Sequence, residues 1–148
     1  MTNAFETIYN QIEELKVRYQ IAKAENNVEA MDQVKDERNA IHESFVAMGG
    51  DFEVMYVYYE AARKRGNEYI DICECYEYSD EAALIASLRA CGIDTFTFSS
   101  RWSSAVESAW KFVQNGCSLM GMVEINGKTT KWGSDEYEKC PAYLFKVN

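Results

Sequence analysis

The chain has 148 residues, of which 47% are hydrophobic and 14% aromatic, and its formal net charge at pH 7 is −9. This length and apolar content predict one domain with a hydrophobic core, or one domain with an appendage. The acidic charge argues against non-specific nucleic-acid binding, which requires a cationic surface. No apolar run is long enough to span a membrane.

The amino terminus has neither the basic start nor the apolar stretch of a signal peptide. The five cysteines are an odd number, which favours reduced thiols over a disulfide framework. Cys73 and Cys75 are two positions apart rather than three, and the single histidine, His42, lies in another segment, so no zinc site is predicted. We therefore expect a cytoplasmic protein without a metal or a cofactor.

Residues 4–25 and 28–48 carry apolar side chains at alternating spacings of three and four, which predict two helices in an antiparallel hairpin. Asn26 and Asn27 form the predicted turn, and Arg38 is a polar residue within the apolar seam. The pattern leaves open whether this seam closes within one chain or between two. The second case predicts a homodimer through the N-terminal helices.

A third helix is predicted from Asp51, a favourable N-cap residue. It is apolar over most of its girth, which predicts a position between the hairpin and the rest of the chain. Three basic residues, Arg63, Lys64 and Arg65, then precede Gly66. They either complement the negative end of the helix dipole or contact a phosphate.

The stretch 68–81 has six carboxylates, three interleaved tyrosines and no lysine or arginine. Its carboxylates can stand where phosphates stand on DNA, and tyrosine is favoured in protein interfaces. The alternative is a solvated strand end and loop. Arg101 and Trp102 in a later turn form a second candidate anchor for a protein partner. The predicted partner-binding residues are Glu68, Asp71, Glu74, Tyr76, Glu77, Tyr78, Asp80, Arg101 and Trp102.

Residues 93–116 read as a strand, a serine-rich turn and a helix. Phe96 and Phe98 share one face of the strand, and Gly116 suits a left-handed helix end. A similar order 24 residues earlier, from Ile70 to Gly92, predicts a repeated βα unit with parallel strands. The second helix is expected to face the core through Val106, Ala109, Trp110 and Val113.

The serine-rich turn between this strand and helix is the alternative candidate site. Free amides and the dipole at a helix start favour an anion, although helix capping alone explains the serines. The chain has no glycine-rich nucleotide motif, and no base stands beside a nucleophile in the sequence. The candidate anion-binding residues are Ser99, Ser100, Ser103 and Ser104.

The C-terminal part begins with an apolar strand from Cys117. The dipeptide Asn126-Gly127 predicts a tight hairpin, followed by an antiparallel return over 128–132 and a closing strand over 142–147. The fold class is therefore α+β, with a helical region over 1–66 and an α/β domain over 67–148. Its sheet is expected to be mixed, with four or five strands.

Three segments carry a resemblance to a known family: YSDEAALIASLRACGIDTFTFSSRWSSAVESAWKFVQNGC, GMVEIN and DEYEKCPAYLFKVN. Residues 68–148 resemble a family of small uncharacterised acidic proteins carried on plasmids, conjugative elements and phages of gut Firmicutes. The family has no known active site, so no residue roles follow from the resemblance. It implies a context in which small acidic proteins are often inhibitors of host defence, such as anti-CRISPR or anti-restriction proteins.

Together these patterns predict a non-enzymatic binding protein that inhibits a nucleic-acid-handling host protein. The expected partner is basic, with a CRISPR effector as one example, and mimicry of DNA by the 68–81 stretch is one mode of inhibition. The alternative is a small-ligand or anion-binding regulatory domain that uses the serine-rich turn.

Overall fold

The computed structural model describes residues 3–73, 80–101 and 103–148. It confirms the predicted α+β class, with a helical N-terminal region followed by a mixed four-stranded sheet. The helices are α1 (Ala4–Ala24), α2 (Val28–Ala47), α3 (Phe52–Tyr59), α4 (Glu81–Ala90) and α5 (Ala105–Gln114). The strands are β1 (Ile70–Ile72), β2 (Thr95–Phe98), β3 (Cys117–Thr130) and β4 (Tyr137–Val147).

The first three helices begin at polar residues whose side chains accept hydrogen bonds from the free amides of the first turn. Asn3 caps α1, Asn27 caps α2, and Asp51 caps α3 as predicted. The helix that starts at Phe52 continues beyond α3 as a π-helix over Glu60–Lys64. A π-turn inserts an extra residue into the helical register, so the side chains that follow point in new directions.

The sheet has the strand order β1-β2-β4-β3. β1 and β2 are parallel, with Ile70 opposite Phe96, as the repeated βα pattern predicted. β4 is antiparallel to both of its neighbours. The connection from β2 through α5 to β3 therefore skips one strand position, which β4 later fills. β3 is an edge strand of the described sheet.

The predicted hairpin at Asn126-Gly127 is wrong. β3 runs through both residues to Thr130, the chain turns within residues 131–136, and β4 returns from Tyr137. Residues 128–130 of the predicted return strand therefore extend β3, and the closing strand is longer than predicted, since it begins at Tyr137 and includes Pro141.

One hydrophobic core joins the helical region to the sheet. On the sheet it is built around Phe112 of α5, whose ring makes edge contacts with Phe96, Phe98 and Phe145 at centroid distances of 5.1–5.4 Å. The N-terminal helices add Phe5 and Phe45 to the same core, along with other buried side chains. Among the described residues, no helix is both long and apolar enough to cross a membrane.

The predicted core face of α5 is a second correction. The helix packs inward through Ser108 and Phe112, which are buried, whereas Val106, Trp110 and Val113 are exposed. Their exposed fractions are 80%, 61% and 42%. The apolar arc of α5 is wider than the part that contacts the core, and periodicity alone does not show which part of the arc that is.

The position of Phe112 at the centre of the aromatic core gives a stability prediction. Phe112→Ala should lower the free energy of unfolding by about 3–5 kcal/mol, because it removes a fully buried ring and leaves a cavity. Gln114→Ala, an exposed change on the same helix, should alter it by less than about 0.5 kcal/mol. Urea titration followed by circular dichroism measures both, and equal effects would contradict this description of the core.

Candidate functional site

The carboxyl ends of the parallel strands β1 and β2 open into a pocket with a volume of about 300 Å³. Ligands commonly bind at this edge in sheets with parallel strands, because the loops that leave the strands diverge there. The π-helix end, β3 and β4 supply the other walls. We call this cavity the basic pocket. It is lined by Arg65, Asp71, Cys73, Ser99, Ser100, Arg101, Gly127, Lys128, Thr129, Glu138, Lys139 and Cys140.

Asp71 is fully buried at the floor of the basic pocket. Its carboxylate accepts a hydrogen bond from the Thr97 hydroxyl at 2.8 Å and one from the Ser99 hydroxyl at 2.6 Å. Burial raises the pKa of the Asp71 carboxyl, because the charged form loses hydration, while these two bonds and the nearby charges of Arg65 and Lys128 oppose that rise. The carboxylate thereby orients Ser99 at the pocket wall.

Arg65 is the most unusual side chain of the pocket, because it is only 5% exposed. Its Nη1 donates to the Asn126 carbonyl oxygen at 3.4 Å, near the outer limit for a hydrogen bond. Its Nε is buried and has no hydrogen-bond partner among the residues that the structure describes. A buried guanidinium with an unused donor is costly unless another group pairs with it.

Arg65 reaches the sheet through a reciprocal amide contact between Asn67 and Asn126. Asn126 donates its backbone N–H to Asn67 Oδ1 at 2.8 Å, and Asn67 Nδ2 donates to the Asn126 carbonyl oxygen at 3.0 Å. Asn126 Nδ2 also donates to the Arg65 carbonyl oxygen at 2.6 Å. These bonds hold the end of the π-helix against β3.

The neighbouring glycine has a separate reason to be there. A Cβ on Gly127 would lie 3.1 Å from the Glu138 carbonyl oxygen and 3.4 Å from Cys140 Sγ. Asn126 and Gly127 therefore do not form a turn. The Asn126 side chain contacts the segment after the π-helix, and the lack of a side chain at Gly127 allows β4 to approach closely. Sequence reasoning missed this because the same two residues are the strongest local signal for a hairpin.

The remaining charges of the basic pocket leave it cationic. Arg101, Lys128 and Lys139 join Arg65, so among the residues that the structure describes four basic side chains line the pocket against two acidic ones. Lys139 donates to Asn126 Oδ1, and Glu138 accepts from the Thr129 hydroxyl at 3.1 Å. Burial raises the pKa of the Cys140 thiol, which keeps it neutral. A chain with a net charge of −9 therefore concentrates positive charge at this edge.

The basic cluster that precedes Gly66 divides between two roles. Arg63 forms an ion pair with Glu6 of α1, and Lys64 lies 3.9 Å from a carboxylate oxygen of Glu60. Arg65 alone of the three lines the basic pocket.

Four of the predicted partner-binding residues lie in the part of the chain that the structure describes, and one of them is buried. Glu68 is exposed, whereas Asp71 is buried in the pocket floor. Asp80 is exposed and caps α4 through bonds from the amides of Ala82 and Ala83. Arg101 is exposed at the pocket. Glu74, Tyr76, Glu77, Tyr78 and Trp102 lie outside the described residues.

The four serines of the alternative site also separate. Ser99 and Ser100 are half-buried and line the basic pocket. Ser103 and Ser104 are exposed and do not line it. Ser104, one of the candidate N-caps, occupies the N-cap position of α5, but its side chain makes no capping bond. The start of α5 is thus not where the polar groups converge.

Within the described ranges, no group of three or more histidine, cysteine, aspartate or glutamate side chains could hold a metal ion. The basic side chains of the pocket instead suit an anion.

Comparison with known proteins identifies a family for most of this chain. Residues 54–147 match a family described as a domain of unknown function, DUF7698. The chain belongs to this family. The matched region starts within α3, so it includes every residue that lines the basic pocket, while α1 and α2 precede it. No curated protein matched the chain, and no solved structure matched it.

The buried carboxyl gives a prediction for the pH dependence of stability. Because the pKa of Asp71 is raised in the folded state, the native protein holds this proton at pH values where the unfolded chain has lost it. Its contribution is complete below the ordinary aspartate range and is lost as pH rises through the folded pKa. Asp71→Asn should therefore gain stability relative to the wild type as pH rises from about 4 to 7.

Urea unfolding at several pH values in phosphate-free buffer measures this difference. The control is Asp36→Asn, a change at an exposed aspartate of α2. A constant difference in unfolding free energy between Asp71→Asn and the wild type at all pH values would contradict the raised pKa.

Proposed function

We propose that this chain is a ligand-binding regulatory domain whose basic pocket holds a small anion. The observation that carries the proposal is Arg65, whose guanidinium is almost wholly buried at the pocket wall with Nε unpartnered among the described residues. Arginine presents its donors in a planar fork that matches the oxygens of phosphate and carboxylate groups. An anion in the pocket would balance the charge of this buried guanidinium.

The other walls of the pocket support the same ligand. Arg101, Lys128 and Lys139 add positive charge, and Ser99 and Ser100 add small polar side chains at the wall. The volume of about 300 Å³ is at the lower end of small-molecule pockets. We therefore propose a compact ligand that carries a phosphate or carboxylate group, bound without a cofactor.

We infer a binding role rather than catalysis, and we place it in the cytoplasm. The pocket is rich in positively charged hydrogen-bond donors, which bind an anion. The single histidine, a common catalytic base, stacks on Phe52 in the helical region instead, with ring centroids 4.7 Å apart. Ser99 donates its hydroxyl proton to Asp71, which fixes the position of its oxygen at the pocket wall.

The serines offer a matched test of the anion proposal. Inorganic phosphate and a panel of phosphorylated and carboxylated metabolites should raise the melting temperature of the wild type. The Ser99→Ala, Ser100→Ala variant should lose most of that rise, whereas the Ser103→Ala, Ser104→Ala variant should keep it. Each rise is taken relative to the same variant without ligand, so a change in basal stability does not enter.

The cations give an independent arm of the same test. Arg101→Ala with Lys128→Ala should weaken binding at least tenfold, because a hydrogen bond to a charged group contributes about 1.5–3 kcal/mol. Lys23→Ala with Lys35→Ala removes the same charge from exposed positions on α1 and α2. Isothermal titration calorimetry compares them, and equal affinities in both variants would rule out the basic pocket as the site.

We propose as a second candidate that the chain inhibits a basic, nucleic-acid-handling protein such as a CRISPR effector. Glu68 and Asp80 are exposed on either side of residues 74–79, which include Glu74 and Glu77. The net charge of −9 favours a cationic partner. The burial of Asp71 removes one carboxylate from this surface.

Charge reversal tests the second candidate without damage to α4, since Asp80 caps that helix and stays unchanged. The Glu68→Lys, Glu74→Lys, Glu77→Lys variant should lose any basic partner that the wild type retains at low salt after nuclease treatment of a bacterial lysate containing CRISPR effectors. The matched control is Asp32→Lys, Asp36→Lys, Glu43→Lys, which reverses three exposed charges on α2. Equal retention by both variants would remove the mimicry hypothesis.

A further inference from the structure

A set of apolar side chains remains uncovered along one edge of the sheet. Helix α5 leaves Val106, Trp110 and Val113 exposed. With one turn per 3.6 residues, these three occupy one flank of the helix. Ser108 and Lys111 lie on the nearly opposite flank, where both face Glu81 of α4. The exposed flank therefore points away from α4 and toward β3, which α5 also contacts.

The edge strand presents apolar side chains on the same face of the sheet. Leu119 lies opposite Phe145 in the β-ladder, and Met122 lies opposite Tyr143. Directly opposed residues of antiparallel strands share a face, and Phe145 packs against Phe112 of α5. Leu119, Met122 and Tyr143 thus lie on the α5 face, with exposed fractions of 53%, 61% and 37%.

These six residues define the α5–β3 apolar surface: Val106, Trp110, Val113, Leu119, Met122 and Tyr143. At their exposed fractions of 37–80%, six side chains of this size leave roughly 600 Å² in contact with water. That is about the apolar part of what one partner contributes to a standard protein interface, which buries about 800 Å² per partner.

The backbone beside this surface also lacks a partner. β3 is an edge strand of the described sheet, so the outer N–H and C=O groups of β3 have no strand to pair with among the described residues. Monomeric proteins protect such edges with charged side chains or proline, but residues 117–123 contain neither. A bulge is another protective feature of edges, and the irregularity between Leu119 and Gly121 shifts the register by one residue, but no charge or proline accompanies it in this segment.

We propose that the α5–β3 apolar surface pairs with the same surface of a second copy of this chain. A twofold axis perpendicular to the sheet would place β3 antiparallel to the partner's β3 and set the exposed flanks of the two α5 helices against each other. Such an interface closes on itself and satisfies both strand edges at once.

The absence of charge at this edge permits a second copy to pair here. Two chains that each carry −9 repel one another over most of their surfaces. The segment 117–123 has no charged residue, so the strands can pair without opposing like charges. The proposal is independent of the basic pocket, which lies at the carboxyl ends of β1 and β2.

Sedimentation equilibrium of the wild type over a wide concentration range tests the assembly. We expect twice the chain mass of 17.0 kDa. Trp110→Lys and Met122→Lys each place a charge in the proposed interface and should give the monomer mass. Val17→Lys changes an exposed residue of α1 and should remain dimeric. Circular dichroism and urea midpoints show whether each variant is folded.

A wild type that is monomeric throughout overturns the proposal and leaves a strand of another protein as the occupant of the edge. A dimer that survives both interface variants but is lost in Val17→Lys also overturns it, since the N-terminal helices would then form the contact. Hydrogen exchange of the wild type needs no variant: amide protection in residues 118–124 should rise with protein concentration. Unchanged protection there would count against strand pairing.

Discussion

The reciprocal amide contact between Asn67 and Asn126 is the constraint on which the candidate site depends. The π-helix ends in a short irregular segment that has few bonds of its own, and this contact fastens it to a long strand. Arg65 is thereby held in a buried position beside the carboxyl ends of the two parallel strands. Without that contact, a side chain with five charged donors would find water more favourable than the pocket wall.

The two faces of the sheet serve different purposes because their residues differ in polarity. One face carries the phenylalanines of β2 and β4 and packs against α5 through Phe112. The other carries a polar series, in which Thr97 and Ser99 donate to Asp71. Burying this carboxylate costs hydration energy, and the hydrogen bonds offset part of that cost. The polar face ends at the basic pocket. The apolar face therefore contributes stability through the core, and the polar face leads to a site lined by basic side chains.

Helix α5 has apolar side chains both in the core and on the surface of the protein. Its apolar arc spans more of the helix than the sheet can cover, since the sheet needs only Phe112 and its neighbours. The remaining flank lies beside an uncharged edge strand, so a helix surface and a strand edge are left open together. Aggregation is the usual hazard of such an edge, and a closed contact with a second copy would protect it.

Local sequence patterns predicted the helices, the cap of α3 at Asp51 and the parallel βα pattern of β1 and β2. The helices and the cap depend on neighbours within about four residues, which share one helical face or one turn, and the parallel strands follow from the order of strand and helix in the two units. The sequence also suggested an anion at the serine-rich turn, but only Ser99 and Ser100 reach the pocket. The hairpin at Asn126-Gly127, the packing face of α5 and the inward turn of Arg65 were decided by the tertiary structure. In each case the deciding contact joins residues far apart in the chain, such as Asn67 with Asn126, and no local pattern records such a contact.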